Sequence, residues 1–523
     1  MGNSSRSNLI RAVGVISSFT MLSRILGFIR DVVIARMFGA GMAADAFFVA
    51  LKLPNFLRRL FSEGAFSTAF VPVFSDYRAQ GDPQEIRAVV QSVFTMLALV
   101  LLAVVTIGEL LMPLIIAVVA PGFKADAAKF ELAIDLTRVT FPYILFISLV
   151  ALAGGVLNSY RRFVVPAATP IILNLTLIGG AIGLAPLFTQ PTMGLAVGVL
   201  IGGMIQLMIQ WPALSGVGTP FRWRWDPHHP AIRRILLLMG PSVLGVSVAQ
   251  INLLFDLFIA SWLPEGSISY LYYADRLVEF PLGLIGIAMG TAILPALSDK
   301  ASRADIDGLK HDLDFALRLV VIVNIPATVG LLLLREPLLT LLFEGGAFDS
   351  RSTELTARAL LAYGSGLLAF SAIKVIAPAF YAMKDTRTPV RVAIVAMLTN
   401  MGLNLLLMVP LQHVGLALAT SLAAFVNVGL LLYYLNRYIG YRMGRTFWSA
   451  VWRTTLASVA MALFLELWQT FLWQQHAGTF RQALVLTGGI AVAMLLFIAV
   501  AWLLRLHELR ELVQIFQHGR RRS

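Results

Sequence analysis

Charged side chains stand inside stretches apolar enough to cross a membrane. The stretch 23–45 reads SRILGFIRDVVIARMFGAGMAAD and carries Arg24, Arg30, Asp31, Arg36 and Asp45. The next, LKLPNFLRRLFSEGAF, adds Lys52, Arg58, Arg59 and Glu63, and YLYYADRLVEFPLGLIG holds Asp275, Arg276 and Glu279. Lys374 lies alone in GLLAFSAIKVIAPAF. An ionised group at the bilayer centre costs about 2.5–3.5 kcal/mol even on the gentlest scales, so each should face protein or a water-filled cavity. Some can pair internally: Arg30 with Asp31, Arg58 or Arg59 with Glu63, Arg276 with Asp275 or Glu279. Such pairs do not account for the total, because Arg24, Arg30, Lys52, Arg58, Arg276 and Lys374 outnumber the carboxylates near them. A guanidinium offers a planar fork to phosphate oxygens and an ammonium offers a point charge. The chemistry predicted is capture of a phosphorylated or otherwise anionic head group.

The elements that must position these groups are helices. A spacing of six residues turns a helix by about 240°, so Arg24, Arg30 and Arg36 are spread around theirs rather than lined up on one face. Asp31 is expected either to neutralise Arg30 or to cap a break beginning at Gly27. Pro54 and Pro281 should kink their helices, since proline cannot donate to the ladder. Three further carboxylates in apolar runs, Glu109, Glu466 and Asp256, could bind ions or serve as interhelical contacts, Asp256 being the better ion candidate. Asn174, Asn252 and Asn404 fit interhelical hydrogen bonding. No Walker, zinc-protease or serine-hydrolase motif occurs, so the chain is read as a non-enzyme. GAGMAAD at 39–45 reads as a tight turn between two membrane helices. The adjacent His228 and His229 lack the further ligands that a metal site needs.

The whole chain matches this picture. Of 523 residues 58% are hydrophobic and 13% charged, where a soluble protein has roughly 25% charged; the mean hydropathy is +0.80. This is an all-α, polytopic membrane protein. The apolar runs exceed the ten or so residues of a barrel strand, and the first is read as retained rather than cleaved. There is no cysteine. The net charge of +13 is dispersed over short loops, which favours topology over nucleic-acid binding.

Fourteen spans are expected: 11–37, 45–75, 89–119, 132–158, 166–186, 192–213, 233–262, 268–298, 313–343, 355–381, 388–410, 414–436, 450–473 and 481–504. Loops after even-numbered spans hold seventeen basic residues, those after odd-numbered spans only four: Lys124, Lys129, Arg351 and Arg481. By the positive-inside rule both termini face the cytoplasm, and the tail LRLHELRELVQIF with its final RRRS suits the membrane surface. FVPVFSD at 70–76 echoes ILPALSD at 293–299; Pro72 and Pro295, like Pro166 and Pro389, stand 223 residues apart. Six spans separate equivalent positions, so the two repeats share one orientation. The expected divisions are 1–230 (helices 1–6), 231–445 (helices 7–12) and 446–523 (helices 13–14 with the basic tail). Paired bundles favour a transporter over a scaffold.

The motifs SRILGFIRD, ARMFGAG, DAFFVALKLPNFLRRLFSEGAFSTAFVPVF, YYADRLVEFPLGLIGIAMGTAILP and KVIAPAFYAMKDTRTPV closely resemble the MurJ (MviN) family, a branch of the multidrug/oligosaccharidyl-lipid/polysaccharide exporter superfamily. The resemblance covers essentially the whole chain. It implies a lipid II flippase of the inner membrane, carrying the undecaprenyl-diphosphate-linked peptidoglycan precursor from the cytoplasmic to the periplasmic leaflet by alternating access. It also implies that Arg24, Arg30, Asp45, Arg58, Arg276 and Lys374 are the essential cavity residues, with Lys52, Glu63, Asp275 and Glu279 as neighbours. Spans 13 and 14 would then offer a groove to the isoprenoid tail. Expected partners are lipid II, membrane lipids and the cell-wall synthesis or division machinery, with a monomer as the working form. No cofactor is expected; a coupling ion (sodium, proton or chloride) stays open. An exporter of another amphiphile and a non-transporting cell-wall scaffold are the competing readings. The arginine excess disfavours an exporter of cationic drugs.

Overall fold

The computed structural model describes residues 3–59, 66–283, 287–473, 478–506 and 508. The regular elements among them are helices. The chain forms two compact units, Met1–Ser269 with Gly346–Phe348, and Tyr270–Gly345 with Asp349–Ser523.

The first unit contains α1 (Asn3–Phe38), α2 (Met42–Leu57), α3 (Ser67–Gln80), α4 (Pro83–Leu110), α5 (Met112–Val119), α6 (Ala127–Thr140), α7 (Tyr143–Ser159), α8 (Val164–Gly179), α9 (Thr192–Gly216) and α10 (Pro230–Ala260). Its helix starts follow local rules. Asp82 accepts from the Gln84 amide with Pro83 at the first position of α4, and Asp126 accepts from the Ala128 and Lys129 amides at α6. Pro113, at the second position of α5, ends the preceding helix. Inside the unit α1 lies along α8, α2 along α6, and both α7 and α8 along α9. A mostly aliphatic core holds two aromatic stacks: Phe66, Phe70 and Phe74 stack in succession at 5.3 and 5.4 Å, and Phe94 stacks on Phe221 at 4.4 Å.

The second unit contains most of α11 (Ser267–Pro281), then α12 (Ile287–Ser302), α13 (Ile306–Leu333), α14 (Arg335–Leu342), α15 (Ser350–Ser365), α16 (Leu367–Ala382), α17 (Arg387–Ile439), α18 (Arg445–Leu472) and α19 (Thr479–Leu503). Asp305 caps α13 and Asp349 caps α15. Here α13 lies along α16 and α18, α12 along α16, α15 and α16 along α17, and α18 along α19. Buried aliphatic residues of α13, α16 and α17 form one core; Trp468, Leu486 and their neighbours from α18 and α19 form another.

Nine helices among the described residues are long and apolar enough to cross a membrane. They cover spans 3–6 and 9–14, because α17 joins two helices across Gln412, whose φ of 50° and ψ of −131° are not helical. Two local readings are now decided in detail. Of the two roles open to Asp31 the structure takes the first: α1 runs unbroken through Gly27 and Asp31 pairs with Arg30. Pro54 lies inside α2, which continues to Leu57 and then widens into a π-type turn at 58–59; a like turn follows Pro281 at 282–283. π-turns of this kind concentrate at functional sites. Glu63 and Gly64, and the basic tail beyond Glu508, lie outside the described residues.

Candidate functional site

Asp45 sits in the first turn of α2 and is 1% exposed. Its Oδ2 accepts from Lys129 Nζ of α6 at 2.8 Å and from the Gly266 amide at 2.8 Å. Its Oδ1 accepts from the Ser269 amide at 3.0 Å and from Ser269 Oγ at 2.7 Å. The carboxylate therefore closes the amino terminus of α11, where unpaired amides and the helix dipole favour negative charge. The arrangement is reciprocal: Glu265, two residues before α11, accepts from the amide of Met42, the first residue of α2, at 2.6 Å. Lys129 is itself buried and lies 4.4 Å from the Phe123 ring centroid. The turn feeding α2 is equally fixed. Gly39 has φ +69°, and a Cβ there would lie 2.4 Å from the Ala347 carbonyl oxygen, whose own amide donates to the Arg36 carbonyl at 2.8 Å.

Farther down α1, Arg30 is gripped on three nitrogens. Nη2 and Nε donate to Asp31 Oδ1 at 2.7 and 3.0 Å, and Nη1 donates to Asn174 Oδ1 of α8 at 3.0 Å. The Asn174 amide nitrogen donates to the Ser23 carbonyl at 2.9 Å, so one side chain ties α8 to α1 at two points. Asp31 is 2% exposed. Arg24 is exposed and has no ion pair or hydrogen bond to another described residue. On α2, Lys52 is half-buried and Arg58 Nε donates to Asn55 Oδ1 at 3.2 Å.

In the second unit Arg276 Nη1 donates to Glu279 Oε2 at 2.6 Å, with the guanidinium carbon 4.8 Å from the Tyr272 ring centroid. Asp275 is exposed beside it. Lys374 of α16 is exposed, again with no ion pair or hydrogen bond to another described residue. Two of the internal pairs expected from sequence thus form, Arg30–Asp31 and Arg276–Glu279.

The predicted residues of α2 do not make one cluster. At 1.5 Å per residue α2 alone spreads Asp45, Lys52 and Arg58 over about 20 Å. Asp45 belongs with Lys129, Glu265, Gly266 and Ser269, none of which sequence reasoning chose. Lys129 counts there as a topology residue, and its placement in a loop otherwise poor in basic residues was the one available signal. Asn174 stands out only as an amide in an apolar helix.

These features define a class first: a helical membrane protein whose spans carry both buried, satisfied charges and exposed, unpaired ones, as a transporter of charged cargo requires. A multidrug resistance MATE family transporter of the MOP superfamily, solved in an inward-facing conformation, aligns with a TM-score of 0.65 over 82% of this chain and 98% of its own, at 16% identity, a likeness of fold. The sequence profile described as "Lipid II flippase MurJ" matches residues 34–482. A probable lipid II flippase MurJ of Vibrio cholerae is 45% identical over 96% of this chain and 98% of its own, and a lipid II flippase MurJ of Burkholderia cenocepacia is 40% identical over 82% and 84%. A structure titled "Lipid II flippase MurJ, inward closed conformation" aligns with a TM-score of 0.79 at 29% identity, over 95% of this chain and 99% of that one. The chain belongs to the MurJ lipid II flippase family.

Proposed function

We propose that Arg24, Arg30, Lys52, Arg58, Arg276 and Lys374 receive the diphosphate and anionic head of the cargo, and that Asp45 is the closing contact at the outer end of α2. As a member of its family the chain is a transporter, a multi-pass protein of the inner membrane that translocates lipid II for cell-wall synthesis. The observation that carries the binding role is the pair of exposed cations without partners, Arg24 and Lys374, on helices of a membrane protein. Neither position is tolerable in hydrocarbon without a counter-charge or water. Arg30 and Arg276, already held by Asp31 and Glu279, are pre-oriented forks in the same charge band. Asp275 and Glu279, with Glu63, tune that positive field.

The finer architecture is proposed on the same footing. Fourteen spans form two six-helix repeats, 1–230 and 231–445, with helices 13–14 and the tail in 446–523. The cap positions support the repeat: Asp82 and Asp305, which start two 28-residue helices, stand 223 apart, as do Asp126 and Asp349. Transport by alternating access, both termini in the cytoplasm, a working monomer and association with the division machinery complete the reading. Cargo drives such a cycle only if it binds the two states differently.

The test is rescue of a bacterium depleted of its own lipid II flippase, at matched membrane abundance. Wild type should rescue, and R24A and R276A should not. Asp45→Asn should retain head-group binding and lose transport; loss of both together would remove Asp45 from the gate role. Rescue by both arginine variants would return the charges to a structural part.

A further inference from the structure

We propose that the second unit carries a binding groove for a single anionic glycerophospholipid, formed where α17 ends and α18 begins. The groove measures about 360 Å³ and is lined by Gly429, Tyr433 and Asn436 of α17, Tyr441 and Arg442 of the connecting turn, and Trp448 of α18. That volume lies within the usual range of ligand pockets, about 300–1,000 Å³. Its two ends differ in chemistry. Gly429 and Leu432 mark the apolar end, and a Cβ at Gly429 would meet nothing within 4 Å, so the groove is open there. Seven residues later, about 10 Å along the axis, Asn436 and Arg442 mark the polar end.

The polar end is positive, and no carboxylate is among the residues that line it. Arg442 is exposed and spends one nitrogen on Asn436 Oδ1 at 3.4 Å, which leaves the rest of its fork open. Arg437 and Arg445 flank it in sequence, both exposed. α18 begins at Arg445 with no side chain capping its first amides, so the positive end of a 28-residue helix adjoins the groove. Tyr433 and Trp448, 56% and 58% exposed, are the amphipathic aromatics that settle at the membrane–water boundary.

The floor is built to last. Tyr441 is 4% exposed, and its hydroxyl donates to Asp314 Oδ1 at 3.3 Å. Asp314 Oδ2 pairs with Arg318 Nε at 3.1 Å, and Arg318 also binds Glu508. A buried polar chain thus fixes the turn from below while its upper side stays open. An open groove with an apolar end and a basic, aromatic-flanked end fits a phosphodiester with acyl chains better than a free phosphate. The basic loop lies on the side proposed above to be cytoplasmic, where anionic lipids attract basic residues at about 1 kcal/mol each; the groove itself does not depend on that orientation.

The test uses the full chain in nanodiscs, where both leaflets are reachable, with a photoactivatable phosphatidylglycerol and peptide mapping. Label should fall on 429–448, drop about fivefold in Arg442→Gln and vanish in Gly429→Leu, which fills the apolar end. Arg161→Gln with Arg162→Gln, removing two charges from another basic loop, should leave it unchanged. Arg442→Lys keeps the charge and should stay within about twofold, separating loss of binding from loss of fold. Equal labelling by a zwitterionic analogue would overturn the proposal. So would suppression by millimolar inorganic phosphate alone, which would mark an adventitious ion only. Suppression by added lipid II but not by excess phosphatidylglycerol would give the groove to the transported substrate.

Discussion

The start of α2 and the positions of Arg24 and Lys374 treat ionisable groups in opposite ways. Asp45 is sealed and receives four hydrogen bonds, one from a buried lysine and three from the start of α11. Arg24 and Lys374 are exposed and make no ion pair among the described residues. A satisfied buried charge holds elements together and is costly to disturb from one side. An exposed, unpaired charge adds little to stability and remains free for a ligand. Structural cost and transport role should therefore separate experimentally.

The largest effect is expected from Asp45→Ala, which leaves Lys129 buried without its partner and uncaps α11. Steric-trap or thermal unfolding should register a loss of about 3–5 kcal/mol, and adding Lys129→Met should restore part of it. Asn174→Ala comes next, at about 1–3 kcal/mol, because it strips one donor contact from Arg30 and the tie from α8 to the Ser23 carbonyl. Arg24→Gln and Lys374→Gln should reverse the pattern: stability within about 0.5 kcal/mol of wild type, but lipid II translocation in proteoliposomes down at least about tenfold, or 1.4 kcal/mol. If either variant instead unfolds like Asp45→Ala, the contrast between the two regions fails.

The smallest effect concerns pH. Burial, and then the charge of Asp314, hold the Tyr441 phenol above its ordinary value. The folded state thus favours the neutral phenol, so this contribution is complete below the unfolded value of about 10 and is lost as pH rises beyond it. Melting temperatures of wild type should fall more steeply above pH 10 than those of Tyr441→Phe.

How much of this was legible in sequence depends on what each feature needs. Hydropathy and loop charge are local, so the membrane class and the helical elements around Arg24, Arg276 and Lys374 could be read directly. Asp31 with Arg30 and Arg276 with Glu279 are near neighbours, and those pairs were foreseeable. Lys129 meets Asp45 across 84 residues, and Asn174 meets Arg30 across 144. Such pairings depend on how each helix is rotated about its axis, and a helix apolar on every side carries no amphipathic stripe to fix that phase. Backbone partners such as the Gly266 amide leave no side-chain signature at all. The choice between the two roles open to Asp31 was not legible for a related reason: one glycine lowers helix propensity by only about 1 kcal/mol, too little to decide alone whether α1 breaks at Gly27.

The exchange of carboxylates between α2 and α11 carries a consequence for kinetics. Glu265 closes the helix that bears Asp45, and Asp45 closes the helix that follows Glu265. Releasing either contact weakens the geometry of the other, so the intermediate with one cap open gains nothing over the fully parted state. Separation of these two helix ends should be abrupt, with the Met42 and Ser269 amides exchanging hydrogen at one common rate set by a single opening event.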